Sequence, residues 1–319
     1  MYISGNTRTL YSLLSYKEGV KMKKKFAFVI LNYMTAKETE ECVSSIFDKC
    51  KNSDIKIYIV DNCSQDKSDE LLKKKYKEDK RIEVILNDDN IGFARGNNVG
   101  FIKAKNEYKA DYIILANSDT VLLTDDFCNK IDKKHKDYDF AVLGPKEILP
   151  DGSNYPLVSK YPTIEATKIN IRVIKARYKA NNSKLYAAYY KSKGFIKRVK
   201  KGLKRRIKKL FGIKSKIVTK EVLDPNMEYK DLMLHGFFLI FSKTYIDKFD
   251  GLDDRTYFYG EEDILMIRLK RANMHSLYDP SLEVFHNKGV STNKKDKDLK
   301  SKNNFIYSSK LKSLYILLE

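Results

Sequence analysis

The sequence predicts an α/β domain: a doubly wound, mostly parallel central sheet flanked by helices, carrying a basic helical insertion. Three observations predict it. Short apolar runs alternate with helical patterns from Lys25 to about Pro145. Those runs are continuous rather than alternating in polarity, as strands covered on both faces require. Residues 168–220 hold 20 Lys and Arg and no Asp or Glu, while the rest of the chain balances 42 basic against 42 acidic residues. The net charge of +20 therefore sits in one segment, an interaction surface attached to a neutral body.

The elements follow in order. Phe26–Asn32 (FAFVILN) reads as a first buried strand. Thr35–Cys50 reads as a helix, because Cys42, Val43, Ile46 and Phe47 recur at helical spacing. Lys56–Asp61 is a second strand, Ser68–Lys77 a second helix and Ile82–Leu86 a third strand. Gly92–Ala104 is a helix entered through a loop rich in Gly and Asn, and Asp111–Ala116 is a fourth strand that stops at Asn117-Ser118-Asp119. Turn signals crowd Pro145–Pro162 and mark the end of the first half. Beyond the basic segment, Leu232–Ser242 reads as a strand, Phe249–Tyr259 as a loop, Glu262–Arg271 as a helix and Ser281–His286 as a last short strand. The tail Ser301–Leu318 has helical spacing.

A hydrophobic content of 42% supports an ordinary core. The four cysteines, Cys42, Cys50, Cys63 and Cys128, lack metal or redox spacing and read as reduced thiols. Nothing approaches the roughly 20 apolar residues of a membrane span, and no apolar block marks a signal peptide. A cytoplasmic location is expected. Met22 opens MKKKFAFVILNY, which reads as a chain start, so residues 1–21 read as an upstream extension.

Polar residues gather at the expected strand ends, where open α/β sheets bind ligands. Asp61, with Asn32 one strand away, could accept a hydrogen bond from the imide N–H of a pyrimidine base; capping the next turn is the alternative. Asn90-x-Gly92-Phe93-Ala94-Arg95-Gly96-Asn97-Asn98 permits close backbone approach to a ligand, and its helix N-terminus favours phosphate. Its glycines do not have dinucleotide-fingerprint spacing. Asp119, after Asn117-Ser118, can ligate a hard divalent cation that also binds a diphosphate. Glu262 and Asp263 open a helix; their carboxylates suit the helix dipole, and either could take a proton from an acceptor hydroxyl. His286 could join Asp119 around Mn²⁺ or Mg²⁺.

Taken together, ILNY, VDNCSQD, NDDNIGFARGNNVG, ILANSD, HGFFLIFS, FYGEEDILMIRL and HNKGVS resemble glycosyltransferase family 2, with its GT-A fold, from about Lys25 to Thr292 outside the basic segment. Within the family the chain is most similar to rhamnosyltransferase-like members that build bacterial surface polysaccharides. The resemblance implies an inverting, metal-dependent transfer of one sugar from a nucleotide-diphosphate donor. Asp61 and Asn32 would hold the base. Asn90, Gly92, Arg95 and Asn97 would lie along the nucleotide and its phosphates, and Asn117 would face the ribose. Asp119 and His286 would bind Mn²⁺ or Mg²⁺, Gly236 would leave room for the sugar, and Asp263 would be the base with Glu262 the alternative. The implied donor is dTDP-rhamnose; a UDP-linked glucosyl, galactosyl or galactofuranosyl donor is the alternative.

Two departures stand out. Asn117 replaces the Asp that often begins the family's metal motif, which shifts weight to His286 and the donor diphosphate. The Gln-x-x-Arg-Trp motif of processive members is impossible in a chain without Trp, so single addition is expected.

The predicted organisation is an N-terminal extension (1–22), a nucleotide-sugar-binding half (23–150), the basic helical insertion (151–222), an acceptor and catalytic half (223–292) and a helical tail (293–319). In Gly194–Gly212, Ile196, Val199, Leu203, Ile207 and Leu210 form one helical stripe between cationic faces. Such a helix suits an anionic membrane surface, and the expected acceptor is a saccharide or lipid-linked oligosaccharide at the inner membrane face. No nucleic acid partner is expected, since no recognition module accompanies the charge. A nucleotidyltransferase would want a Gly-rich loop with a basic residue after the first strand, where Asn32-Tyr33-Met34-Thr35 stands. A non-enzymatic basic adaptor would not need Asp119, Glu262, Asp263 and His286.

Overall fold

The computed structural model describes residues 23–157, 163–183, 223–288 and 299–319. The expected membrane helix over 194–212 and the extension over 1–21 lie outside the described residues.

The first half folds as its pattern predicts. β1 (Lys25–Asn32), β2 (Asp54–Asp61), β3 (Ile82–Leu86) and β4 (Tyr112–Asn117) run parallel. They end level, with Asn32 opposite Asp61 and Leu31 opposite Asn117. Between them come α1 (Ala36–Lys49), α2 (Ser68–Tyr76) and α3 (Phe93–Lys103), the last running on into a π-helical turn at Ala104–Tyr108. Alternate residues of β1 feed opposite faces, as strand geometry demands. Phe28 and Ile30 pack with Cys42 and Ile46 of α1; Ala27 and Val29 pack with Phe101 of α3.

The sheet continues through β8 (Phe238–Ser242), β6 (Val142–Ile148), β9 (Ser276–His286) and β5 (Thr120–Leu122), in the order β3-β2-β1-β4-β8-β6-β9-β5, with β7 (Tyr229–Lys230) also on β9. β8 runs antiparallel to both its neighbours, as do β5 and β7 to β9, while β6 and β9 are parallel. The sheet is therefore mixed but mostly parallel. The remaining helices are α4 (Phe127–Tyr138), α5 (Ile164–Asn181), the single turn α6 (Lys243–Ile246), α7 (Glu261–Arg271) and α8 (Leu299–Ile316).

Three strand expectations need correction. Only Phe238–Ser242 of the apolar run Leu232–Ser242 is strand, because its partner β4 pairs no further than Ala116 opposite Phe238. The last strand begins at Ser276, not Ser281, because β6 supplies a partner for its earlier residues. Pro145 lies inside β6, not in a turn, at an irregularity where the ladder tolerates a missing donor. The start of the basic segment is helical: Thr163 caps α5 by accepting from Ala166 N at 3.1 Å, and Asn181 Nδ2 donates to Asn304 Oδ1 of α8 at 2.8 Å. All four cysteines are free thiols.

Candidate active site

A cleft of about 1060 Å³ opens along the edge where the parallel strands end. Tyr33 follows β1, Asn62 follows β2, and Asn117, Ser118 and Asp119 close β4; His286 ends β9. β8 runs the other way, so the same edge receives the residues before it, His235, Gly236 and Phe237. The first turn of α7 supplies Glu261, Glu262 and Asp263, and α5 and α8 complete the wall.

At the centre, carboxylates and imidazoles interleave. β5 pairs with β9 with Thr120 opposite His286, which sets Asp119 beside the imidazole. His286 Nε2 lies 3.3 Å from Asp119 Oδ1, and Asn287 N donates to Asp119 O at 2.9 Å. His286 Nδ1 lies 2.7 Å from Glu147 Oε1, and His235 Nδ1 lies 2.6 Å from Glu147 Oε2. Burial works to lower the His286 pKa, but the Asp119 and Glu147 hydrogen bonds outweigh it and hold the group at about 9. Glu147 is opposed by burial too, yet its His235 and His286 bonds bring it to about 2. Asp119 and His286 present a carboxylate and an imidazole side by side, donors that suit a divalent cation. The two groups form an ion pair at 3.3 Å, close enough for both to reach one ion.

A second acidic group faces this cluster. Gly260, at φ +93°, turns the chain into α7. Burial first, and the neighbouring charge of Glu262 second, raise Asp263 to about 6 and Glu261 to about 7. Lys310 of α8 acts in the opposite sense on Asp263. Glu261 Oε1 is buried without a hydrogen-bond partner among the described residues. Glu262 Oε1 accepts from Gly236 N at 3.2 Å, and a side chain on Gly236 would start 2.8 Å from that oxygen. The space beside Gly236 thus holds the Glu262 carboxylate.

The structure brings Asn90, Gly92, Asn117, Asp119, Gly236, Glu262, Asp263 and His286 to one cleft. The other four expected residues do not line it. Asn32 and Asp61 lie buried beneath it, Asn32 Nδ2 donating to Asp61 Oδ2 at 2.5 Å, while Ser64 N and Oγ also donate to Asp61. Asn97 Nδ2 donates to Phe93 O at 2.9 Å, and Arg95 Nε donates to Asp254 O at 2.8 Å. Sequence reasoning missed Glu147, His235 and Asn62. His235 and Asn62 stand within the motifs HGFFLIFS and VDNCSQD, but Glu147 sits in a segment that reads as turn.

The sheet thus gathers an acid–imidazole pair and a raised carboxylate at its strand ends, where open α/β sheets bind ligands. The family model for glycosyl transferase family 2 matches residues 27–208, and the chain belongs to that family. The match covers the first half and most of the basic segment, whereas the motif resemblance reached 292 and left the basic segment out. Among solved structures, GalNAc-T7 with UDP, GalNAc and Mn²⁺ is similar over 84% of this chain and 44% of that one, at 11% identity and a TM-score of 0.52. S. aureus TarS 1–349 matches over 90% of this chain and 70% of its own, at 13% identity and a TM-score of 0.46. Its UDP complex matches over 41% of this chain at 20% identity and a TM-score of 0.36, and this chain spans 38% of that one. The GalNAc-T7 likeness shows the GT-A-like fold. No curated protein sequence matches the chain significantly.

Proposed function

We propose that the chain is an inverting, metal-dependent glycosyltransferase that adds one sugar from a nucleotide-diphosphate donor to an acceptor hydroxyl. One observation carries the reading: Asp119 and His286 share a single cleft with Glu262 and Asp263, although they come from three distant stretches of chain. Asn62, Asn90, Gly92 and Asn117 line the same cleft, and in this reading they hold the nucleotide. Asp119 and His286 would hold Mn²⁺ or Mg²⁺, which when bound offsets charge on the departing diphosphate.

Asp263 accepts the acceptor's hydroxyl proton, with Glu262 as the alternative base. The freed oxygen bonds to the anomeric carbon as the bond to the diphosphate breaks, and the electron pair leaves with the nucleoside diphosphate. Attack opposite the leaving group inverts the anomeric centre. An Asp263 pKa of about 6 suits a base that is ionised at neutral pH yet retains affinity for a proton. Residues 194–212 would place the enzyme at an anionic inner membrane face, beside a lipid-linked or oligosaccharide acceptor. The first donor to test is dTDP-rhamnose, with UDP-linked hexoses as the second arm.

A thermal-shift panel of dTDP- and UDP-sugars, with and without Mn²⁺, tests this reading. A donor-specific, Mn²⁺-dependent rise is expected; no rise with any nucleoside diphosphate overturns it. Asp263→Asn is expected to cut transfer by about 10²–10⁴-fold while donor affinity holds. Should Glu262→Gln produce that loss and Asp263→Asn not, Glu262 is the base.

A further inference from the structure

The most deeply buried acid of the cleft has no part in the proposed reaction. Glu147 is 4% exposed and spends both oxygens on imidazoles. Its position depends on an irregularity in the sheet. The β6–β9 pairing runs to Pro145 opposite Asp279 and then jumps to Lys146 opposite Glu283. On the unshifted register Glu147 would face Ser281, on the side of β9 away from His286. After the jump it faces Val284, two residues from His286 and on the same side of the strand. The bulge thus turns a carboxylate onto the imidazole.

Distances separate its role from that of a ligand. Two ligands on one divalent cation with bonds of about 2.1 Å stand about 3.0 Å apart in octahedral and 3.4 Å in tetrahedral geometry. Asp119 and His286, at 3.3 Å, fall in that range. The Glu147 contacts, at 2.6 and 2.7 Å, are shorter and are hydrogen bonds. Ring stacking braces the imidazoles: Tyr155 lies on His235 with centroids 4.2 Å apart, and Phe237 on His286 at 5.1 Å.

We propose that Glu147 is a positioning residue: by accepting Nδ1–H from His286 it turns Nε2 toward Asp119 and the cation the two share, while its second oxygen fixes His235 at the cleft wall. This rests on the cation reading of the preceding subsection. A cation bound at Nε2 would take the place of the proton there, which would leave for solvent, and the Nδ1 proton would stay on its bond to Glu147. A glutamine cannot replace this carboxylate. The two imidazoles meet different oxygens, so in glutamine one of them would face the amide N–H and have to present a bare Nδ1, its own proton moving to Nε2.

The test is Mn²⁺ affinity of the full chain, measured by electron paramagnetic resonance and calorimetry with and without UDP. Glu147→Gln is expected to weaken Mn²⁺ binding by about 10–100-fold and leave UDP affinity in chelator unchanged. His235→Ala, which keeps the Glu147–His286 bond, is expected to cost less. Should Glu147→Gln not fold, Glu147→Asp carries the test, its shorter side chain reaching at most one imidazole. Mn²⁺ affinity within twofold of wild type in the variant that folds overturns the positioning role alone. A wild-type chain that binds no Mn²⁺ even with UDP overturns the cation reading, and the positioning role with it.

Discussion

The carboxylates at the head of α7 differ in what their protons do. Asp263 must be ionised to act as base. With its pKa raised to about 6, kcat/KM for transfer is expected to climb with pH through about 6, losing about tenfold per unit below that value. Glu261 gives a stability prediction of the opposite sign. Its folded-state pKa of about 7 exceeds the ordinary 4.5, so the folded chain holds a proton that the unfolded chain has released between those values. That contribution is complete below about 4.5 and lost as pH rises through 7. Glu261→Gln, neutral throughout, is expected to raise stability at pH 8 by about 1–2 kcal/mol and change little at pH 5; melting curves at the two pH values check it. At this scale the sequence was informative where a polar residue ended an apolar run, as at Asp119 and His286, or opened a helix, as at Asp263. It was silent on Glu147, whose role comes from a partner strand far along the chain.

Elements with a strong local period were readable. β1 to β4 and the helices between them follow from continuous apolar runs and helical spacing. β6 was not, because the stretch from Pro145 on carries turn signals and only pairing to both β8 and β9 makes it strand. The loop into α3 shows how one glycine joins the two halves. Gly92 sits at φ +89°, and a side chain there would begin 2.4 Å from Tyr257 O, the atom that accepts Phe93 N–H at 2.8 Å. Tyr257 OH returns a bond to Asn90 O at 3.0 Å. Gly92→Ala is expected to cost about 2 kcal/mol or more in stability and to weaken nucleotide binding, read by urea melts and UDP titration. An unchanged melt would show that this junction tolerates a side chain.

Across the whole molecule, charge and fold meet at one helix: α5, where the basic segment begins, lends Arg177 to the cleft wall, while most of the basic excess falls outside the described residues. Among the described residues, no helix is long and apolar enough to cross a membrane. The proposed attachment through residues 194–212 would be electrostatic and interfacial, with about 1 kcal/mol per cation near an anionic surface. Replacing four Lys of that stretch with Gln is expected to cut sedimentation with phosphatidylserine vesicles by at least tenfold, and raised salt should mimic the change. Equal sedimentation by the variant would remove the surface role.

The placement of β8 has a consequence for how the protein must be made. It wedges between β4 and β6, both of which leave the ribosome long before it does. A nascent chain that stops short of Phe238 presents two raw hydrogen-bonding margins with nothing between them, an invitation to pair with foreign strands. Until the middle strand arrives to seal it, the early half is exposed to aggregation.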